Sequence, residues 1–174
     1  MISTRRLRSL LAPALIAVVV IIIDQWAKAM VVRTWPEPQT GEFQILGRWL
    51  ALTYIRNDGV AFGLFQGIPQ FFTITSLVIS AGAIYYYLRY VRERDLWATI
   101  TLGLIVGGAI GNVIDRVRFG YVVDFVKTFD GRFPVFNVAD SAVCIGVALM
   151  ALRMFLLDSA PPDRRMLVKP DDGS

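Results

Sequence analysis

The hydrophobic residues of this chain are collected in long runs, and the charged residues lie mainly between those runs. A helix needs about 20 residues to cross the hydrocarbon core of a bilayer. Segments of this length lie at residues 10–30, 69–88, 96–115 and 138–157. The pattern predicts an all-α membrane protein in which four transmembrane helices form a single domain over residues 1–157.

The connections between the runs carry a second pattern. Residues 49–55 are rich in β-forming side chains, Asp58 and Gly59 form a strong tight-turn signal, and residues 60–65 could return as a second strand. We expect a small β-rich platform or hairpin outside the membrane. Asn57 lies beside the turn, and turn chemistry alone is a sufficient role for it.

Basic residues between the runs predict the orientation in the membrane. They lie before the first run and between the second and third runs, as Arg5, Arg6, Arg8, Arg89, Arg92 and Arg94. The positive-inside rule places these segments in the cytoplasm, together with both termini. The long connections are then external. Residues 158–174, which are rich in proline and charge, are predicted to be a disordered cytoplasmic tail.

The first run also resembles a secretory signal, with a basic start, an apolar centre and AKA at residues 27–29. A cleaved signal would be removed from the mature protein. However, Asp24, Trp26 and Lys28 crowd the supposed cleavage site, and three further runs follow. We therefore favour an uncleaved membrane anchor.

The composition supports a membrane protein and excludes several catalytic mechanisms. Apolar residues make up 55% of the chain and charged residues 18%, against about 25% in ordinary globular proteins. The net charge is +4, but the basic residues are scattered along the chain and form no cluster, so there is no support for nucleic-acid binding. Because the chain has no His and one Cys, histidine-based catalytic triads and common zinc sites are excluded. The single cysteine, Cys144, is predicted to be packed and unreactive.

Polar residues recur at the ends of the predicted helices. Asp24 and Lys28 are spaced to share one helix face as an ion pair, which has either a structural role or the role of bracing a polar site. Asn112, Asp115 and Arg116 share another face at the end of the third helix. On that helix Gly103, Gly107 and Gly111 recur every fourth residue, which predicts close packing against a neighbouring helix.

Three carboxylates lie in the stretch YVVDFVKTFDGRFPVFNVADS at residues 121–141. Asp130 precedes a glycine and is typical of an exposed turn. Asp140 follows Asn137 by three residues, a spacing typical of a helix cap. Asp124 interrupts an extended β-branched run, where it has nothing to cap and needs a partner. Two carboxylates brought together can share a proton, so that one activates water while the other polarises a carbonyl.

Alternative interpretations are a small membrane transporter and a non-catalytic assembly subunit. A transporter typically carries ionisable groups near the middle of its helices, or has broken helices. Here these groups gather at one boundary. An assembly subunit would use the glycine face but would leave the acids and Asn57 without a role.

Five blocks with polar residues follow one another along the chain: DQWAK at 24–28, NDGVAFG at 57–63, GGAIGNVIDR at 107–116, VVDF at 122–125 and FNVAD at 136–140. In these blocks and in their order the chain resembles the lipoprotein signal peptidase (signal peptidase II) family of bacterial membrane aspartyl peptidases. Val60 stands where many members have Ala, which is a mild apolar exchange.

The resemblance implies roles for individual residues. Asp124 and Asp140 match the catalytic dyad. The residues that match substrate-binding or supporting positions are Asn57, Gly59, Asn112, Arg116, Asn137, Asp115, Asp24 and Lys28. On this basis Asp140 and Asn57 are better interpreted as site residues than as a cap and a turn residue alone.

The resemblance also implies the substrate and the location. Family members cleave the signal peptide of a prolipoprotein before a cysteine that already carries diacylglycerol. We expect a monomeric enzyme of the bacterial inner membrane that meets its substrate and membrane lipid at the outer face. No metal or organic cofactor and no nucleic acid is expected.

Overall fold

The computed structural model describes residues 9–58, 69–91 and 95–158. Its helices are α1 Leu11–Thr34, α2 Pro69–Tyr90, α3 Leu96–Phe119 and α4 Val138–Asp158. All four helices begin within one residue of the predicted positions. Helices α1 and α3 continue beyond their predicted ends at Met30 and Asp115, to Thr34 and Phe119. The additional turns contain polar residues and lie at the end of the bundle that carries the sheet.

Among the described residues, three helical segments are long and apolar enough to cross a membrane: Leu11–Thr34, Leu96–Phe119 and Val138–Leu156. Their outward surfaces are apolar, as at Leu15 and Phe155, which are 66% and 69% exposed. Such surfaces are stable in lipid but costly in water. The chain is therefore a membrane protein with three candidate spans, and a membrane-spanning role for α2 stays a prediction.

Helix α3 lies between α1 and α4, and its glycines make this packing possible. A Cβ atom added to Gly107 would come 2.9 Å from the Cα of Ala17 on α1, and one added to Gly103 would come 2.6 Å from Ile16. On the other side, Gly108 packs directly against the carbonyl of Ala139 on α4. The predicted glycine-mediated packing of this helix is confirmed.

Gly111 packs against a buried carboxylate at the same helix interface. An added Cβ would lie 2.8 Å from Oδ2 of Asp24 and 3.3 Å from Ala139. We expect Gly111→Ala to destabilise the protein by about 1–3 kcal/mol, because the buried carboxylate or the helix would have to move. Thermal unfolding in detergent measures this change.

Gly82→Ala on α2 is the matched control, since an added Cβ there meets no atom within 4 Å among the described residues. Alanine favours a helix interior by about 1 kcal/mol over glycine. Unchanged or slightly raised stability is expected for this control. Equal stability of the two variants would contradict the close contact at Gly111.

Both ends of α3 are fixed by local interactions. Asp95 caps its N-terminus by accepting a hydrogen bond of 3.0 Å from the amide of Ala98. Arg153 of α4 donates to the same carboxylate at 2.7 Å, which joins the two helices at this end. At the other end Gly120 has a φ of 82°, a left-handed conformation that suits glycine and turns the chain out of the helix.

The platform beyond this second end is a three-stranded antiparallel sheet. Its strands are β1 Glu42–Gln44, β2 Leu50–Asn57 and β3 Val122–Thr128, in the order β1-β2-β3. In the register of β2 and β3, Ile55 lies opposite Asp124. A β-rich platform is therefore confirmed, although β2 pairs with β3, which is distant in the chain, as well as with the neighbouring β1. The predicted returning strand at 60–65 lies outside the described residues.

A small hydrophobic core fixes the sheet on the helix ends. Tyr54, Val123 and Phe125 pack with Val31 near the end of α1. This core uses one face of the sheet. The opposite face carries Asp124, so the same strand that buries apolar residues also delivers a carboxylate.

Cys144 differs from the prediction. Its side chain is exposed on α4, beside Ile145, which is 53% exposed. The prediction of a packed thiol is wrong because a membrane helix can present apolar and weakly polar side chains to lipid, whereas the prediction assumed burial within the protein. The predicted tail, apart from Asp158, lies outside the described residues.

Candidate active site

Asp124 lies on β3 and is almost completely buried, with 1% of its surface exposed. Both of its carboxylate oxygens accept hydrogen bonds from amide side chains. Asn57 on β2 donates to Oδ2 at 2.7 Å, and Asn137 donates to Oδ1 at 2.7 Å. The partner that the extended run required is therefore a pair of asparagines.

Asp140 lies in the first turn of α4. Its Oδ1 accepts a hydrogen bond of 2.7 Å from Nδ2 of Asn112, and its Oδ2 accepts one of 3.2 Å from the backbone amide of Asn137. In return, the amide of Asp140 donates to Oδ1 of Asn137 at 2.8 Å. This reciprocal cap confirms the predicted capping geometry, and it leaves the carboxylate held at a fixed position in the same site.

Asn137 connects the two carboxylates. It is fully buried, and it contacts Asp124 through its side-chain amide and Asp140 through its backbone amide. Its side-chain nitrogen also lies 3.1 Å from Oδ1 of Asn112. The structure therefore brings Asp124, Asp140 and three asparagines from four elements into one hydrogen-bonded network.

The carboxylates of Asp124 and Asp140 interact through their charges. Burial raises the pKa of Asp124 to about 7, and repulsion from Asp140 acts in the same direction, while the hydrogen bonds from Asn57 and Asn137 oppose the increase. A carboxyl group that titrates near neutral pH can hold or release a proton under physiological conditions. The site can therefore contain one protonated and one ionised acid.

A buried ionic cluster lies directly behind this network. Lys28 on α1 contacts the carboxylates of Asp24 at 2.8 Å and Asp115 at 2.9 Å, and it donates to Oδ1 of Asn112 at 3.0 Å. All three members of this cluster, Asp24, Lys28 and Asp115, are at most 3% exposed. We call these three residues the brace. The predicted ion pair is confirmed, with Asp115 as a further member.

The brace holds the backbone next to each acid. Oδ1 of Asp24 accepts a hydrogen bond of 2.9 Å from the amide of Ala139, which immediately precedes Asp140. Oδ2 of Asp115 accepts one of 3.1 Å from the amide of Val123, which immediately precedes Asp124. Because Lys28 joins the two carboxylates, a single cation links the positions of both chain segments.

Gln25 is a member of this region that sequence reasoning did not single out. Its side-chain nitrogen donates to Asp115 at 2.8 Å and lies 3.2 Å from both Asp24 and the carbonyl of Gly111. Its position between Asp24 and Lys28, near the end of a membrane helix, was the one sequence feature that could have indicated a role in the site. Its contacts with Gly111 and Asp115 come from α3, far away in sequence, so these contacts were not predictable.

The remaining predicted site residues have different positions. Arg116 is half-buried and interacts electrostatically with Asp140, Asp124 and Asp115, so its positive charge lies close to the acids. Asp130 is exposed and has a φ of 55°, which fits the predicted turn role. Gly59 lies outside the described residues.

Solved structures with the same fold are bacterial membrane enzymes. One, determined by the in meso method at 2.3 Å resolution, has a TM-score of 0.74 and 32% sequence identity, and covers 93% of this chain and 94% of its own. A second, determined by the same method at 1.9 Å, has a TM-score of 0.71 and 35% identity over 82% of this chain and 91% of its own. The fold and the buried polar site therefore define a membrane enzyme.

The family follows from sequence comparison. Residues 16–156 match the family described as signal peptidase (SPase) II. The lipoprotein signal peptidase of Halalkalibacterium halodurans is 45% identical over 80% of this chain and 89% of its own, and that of Enterococcus faecalis is 37% identical over 88% and 93%. The chain belongs to the signal peptidase II family. It is therefore a membrane peptidase, as the sequence blocks implied.

Proposed function

We propose that this protein is an aspartic endopeptidase that removes signal peptides from diacylglyceryl-modified prolipoproteins, cutting before the lipidated cysteine. The observation that carries this proposal is the pairing of Asp124 with Asp140 through Asn137. The family relationship supports the substrate class. The site's position at one end of the apolar helices suits a bond located at a membrane surface.

In the proposed mechanism the two acids share one proton. The ionised acid takes a proton from a water molecule, whose oxygen attacks the scissile carbonyl carbon. The protonated acid donates a hydrogen bond to the carbonyl oxygen as negative charge develops there. Transfer of a proton to the departing nitrogen then releases the new amino terminus and the signal peptide. Either acid can begin as the base, because coupled groups titrate as a pair.

Amide and basic side chains would position the substrate. Asn57 and Asn137 hold Asp124, and Asn112 holds Asp140, so the orientations of both carboxylates are supported before substrate arrives. Arg116 is close enough to both acids to orient a carbonyl group or balance their charge. Gly59 follows Asn57 closely in the chain, and we propose that it contributes backbone contacts to the substrate.

We further propose a topology for the enzyme in the membrane. Helix α2 is the fourth span, both termini are cytoplasmic, and the sheet lies at the outer face of the bacterial inner membrane. The signal helix and the diacylglyceryl group would enter sideways from the bilayer into a monomeric enzyme. The acyl chains anchor the substrate in the bilayer, since each methylene that leaves water for lipid contributes about 0.8 kcal/mol, and they thereby hold the scissile bond at the depth of the site. No cofactor is assigned to the reaction.

The shared proton predicts a defined pH dependence. The pKa of Asp124 is raised to about 7, so cleavage should decline as pH rises through this value and the pair loses its proton. The hydrogen bond from Asn57 lowers that pKa. Asn57→Leu should therefore move the alkaline limb of kcat/KM to higher pH, by about one pH unit for one lost hydrogen bond to a charged group.

The matched control is Gln44→Leu, which removes an exposed amide from β1 in the same sheet. This variant should leave the alkaline limb unchanged. The prediction is contradicted if the alkaline limb of kcat/KM for Asn57→Leu falls at the same pH as that of the wild type, even if the overall rate is lower. Asn57 would then not control the titration of Asp124.

The proposed activity is tested with purified protein in detergent and two forms of one prolipoprotein, with and without diacylglycerol on the cysteine. Mass spectrometry of the products locates the cleaved bond. Cleavage of the modified form alone, immediately before the cysteine, is the expected result. Equal cleavage of both forms would remove the proposed lipid requirement, and failure to cleave either form would favour a transport or assembly role.

A further inference from the structure

The external unit, formed by residues 35–58 and 120–137, exposes an unusual amount of apolar surface. Six of its large side chains are between 47% and 63% exposed: Phe43, Ile45, Leu46, Trp49, Phe129 and Phe133. A surface of this kind is costly in water and marks an interaction site. The catalytic network described above uses none of these residues.

Several of these side chains form an organised site around an open cavity of about 340 Å³. Trp49 and Phe129 come from the two short 3-10 turns, and their rings meet edge to face with centroids 5.6 Å apart. Phe133 completes the apolar part of the cavity wall. The site therefore joins two segments that are far apart in the sequence.

Two arginines line the same cavity. Arg48 lies over the ring of Trp49, with its guanidinium carbon 5.6 Å from the ring centroid, and Arg132 lines the wall beside Phe133. One acid, Asp130, also lines it, but the charge of Asp130 interacts with the nearby Lys127. The cavity therefore combines an apolar aromatic wall with an excess of positive charge.

The place of the unit in the fold indicates what meets this surface. The unit follows directly after the ends of α1 and α3 and leads into α4, so it is attached at one end of all three candidate spans. Aromatic side chains at such a boundary settle at the level of the lipid headgroups. Arginine is well suited to phosphate, because its planar guanidinium can donate two parallel hydrogen bonds.

We propose that this cavity binds the headgroup phosphate of an anionic phospholipid, with Arg48 and Arg132 on the phosphate and Trp49, Phe129 and Phe133 against the glycerol and upper acyl chain. The bound lipid holds the external unit against the bilayer surface. A lipid accounts for both the apolar and the cationic parts of the site, whereas a free phosphate ion accounts for the arginines alone.

Fluorescence quenching by brominated lipids tests this proposal. Wild type and Trp49→Phe are placed in phosphatidylcholine nanodiscs that contain a minor fraction of brominated phosphatidylglycerol or brominated phosphatidylcholine. The difference between the two proteins isolates Trp49 from Trp26, Trp35 and Trp97. The expected result is stronger quenching of Trp49 by the brominated phosphatidylglycerol. Equal quenching by both lipids, or quenching by neither, would overturn the proposal.

Variants of the two arginines test whether the preference for phosphatidylglycerol arises at the cavity. Replacing both Arg48 and Arg132 with Gln should make the two lipids quench Trp49 equally, while replacing both with Lys should retain part of the preference. Arg33→Gln removes a charge from the exposed end of α1 and should leave the preference intact. The proposal fails if Arg33→Gln abolishes the preference, or if the double variant Arg48→Gln with Arg132→Gln retains it.

Discussion

Cleavage of a diacylglyceryl-modified prolipoprotein is expected to be about 100- to 10,000-fold slower in Asp124→Asn than in the wild type, which is the usual loss when one general acid–base group is removed. Asparagine has nearly the same size and keeps a carbonyl oxygen for one of the two bonds, from Asn57 or from Asn137, whereas its NH2 group cannot accept the other. It cannot accept the proton of the attacking water or share a proton with Asp140. The loss should appear in kcat, since the substrate contacts remain.

Asp130→Asn is the matched control for this variant. It makes the same chemical change in the same external unit, at an exposed turn. Its cleavage rate should equal that of the wild type. Thermal unfolding of both variants separates chemistry from folding, and a stable Asp124→Asn protein with a rate near that of the wild type would contradict a catalytic role for Asp124.

The second large effect is expected at the brace. Lys28→Met removes the cation that contacts Asp24 and Asp115 and leaves two carboxylates buried without their counter-charge. Breaking a buried ion pair from one side typically costs about 3–5 kcal/mol. We therefore expect a large decrease in the free energy of unfolding, measured by denaturant titration in mixed micelles. Activity should fall as well, because the brace holds Val123 and Ala139 beside the two acids.

Lys127→Met provides the comparison for this loss. Lys127 forms an ion pair of 2.6 Å with Glu42 on the surface of the sheet, and both of these side chains are partly exposed. Exposed pairs contribute little to stability, so this variant should unfold close to the wild type. If Lys28→Met unfolded at the same denaturant concentration as Lys127→Met, the brace would have no structural importance.

The parts of this structure that follow from local pattern were predictable. Long apolar runs determine the helices, because lipid favours apolar side chains around the whole helix circumference. The reciprocal cap between Asn137 and Asp140 also followed from their spacing. The ends of α1 and α3 did not, since the predicted helices stop at the length that crosses a bilayer, whereas the last turn of α1 is stabilised by packing of Val31 against Tyr54 and Val123 of the distant sheet.

The parts of the structure that depend on contacts between distant segments could not be predicted from the sequence. Asp124 was known to need a partner, but residue types alone do not choose Asn57 on β2 and Asn137 at the start of α4. The strand pairing of β2 with β3 is equally non-local. Gln25 was overlooked for the same reason, because its role depends on carboxylates contributed by two helices. Family resemblance singled out most of the residues that meet in this network, while their geometry required the fold.

The most direct test of the central claim compares the cleavage rates of Asp124→Asn, Asp140→Asn and the double variant, each shown to be folded. Two acids that share one proton act as a unit, so their losses should be strongly non-additive. The account predicts that each single variant is severely impaired and that the double variant is about as slow as the slower single variant. Independent losses that multiply in the double variant, or a single variant with a near-normal rate, would contradict a dyad formed by Asp124 and Asp140.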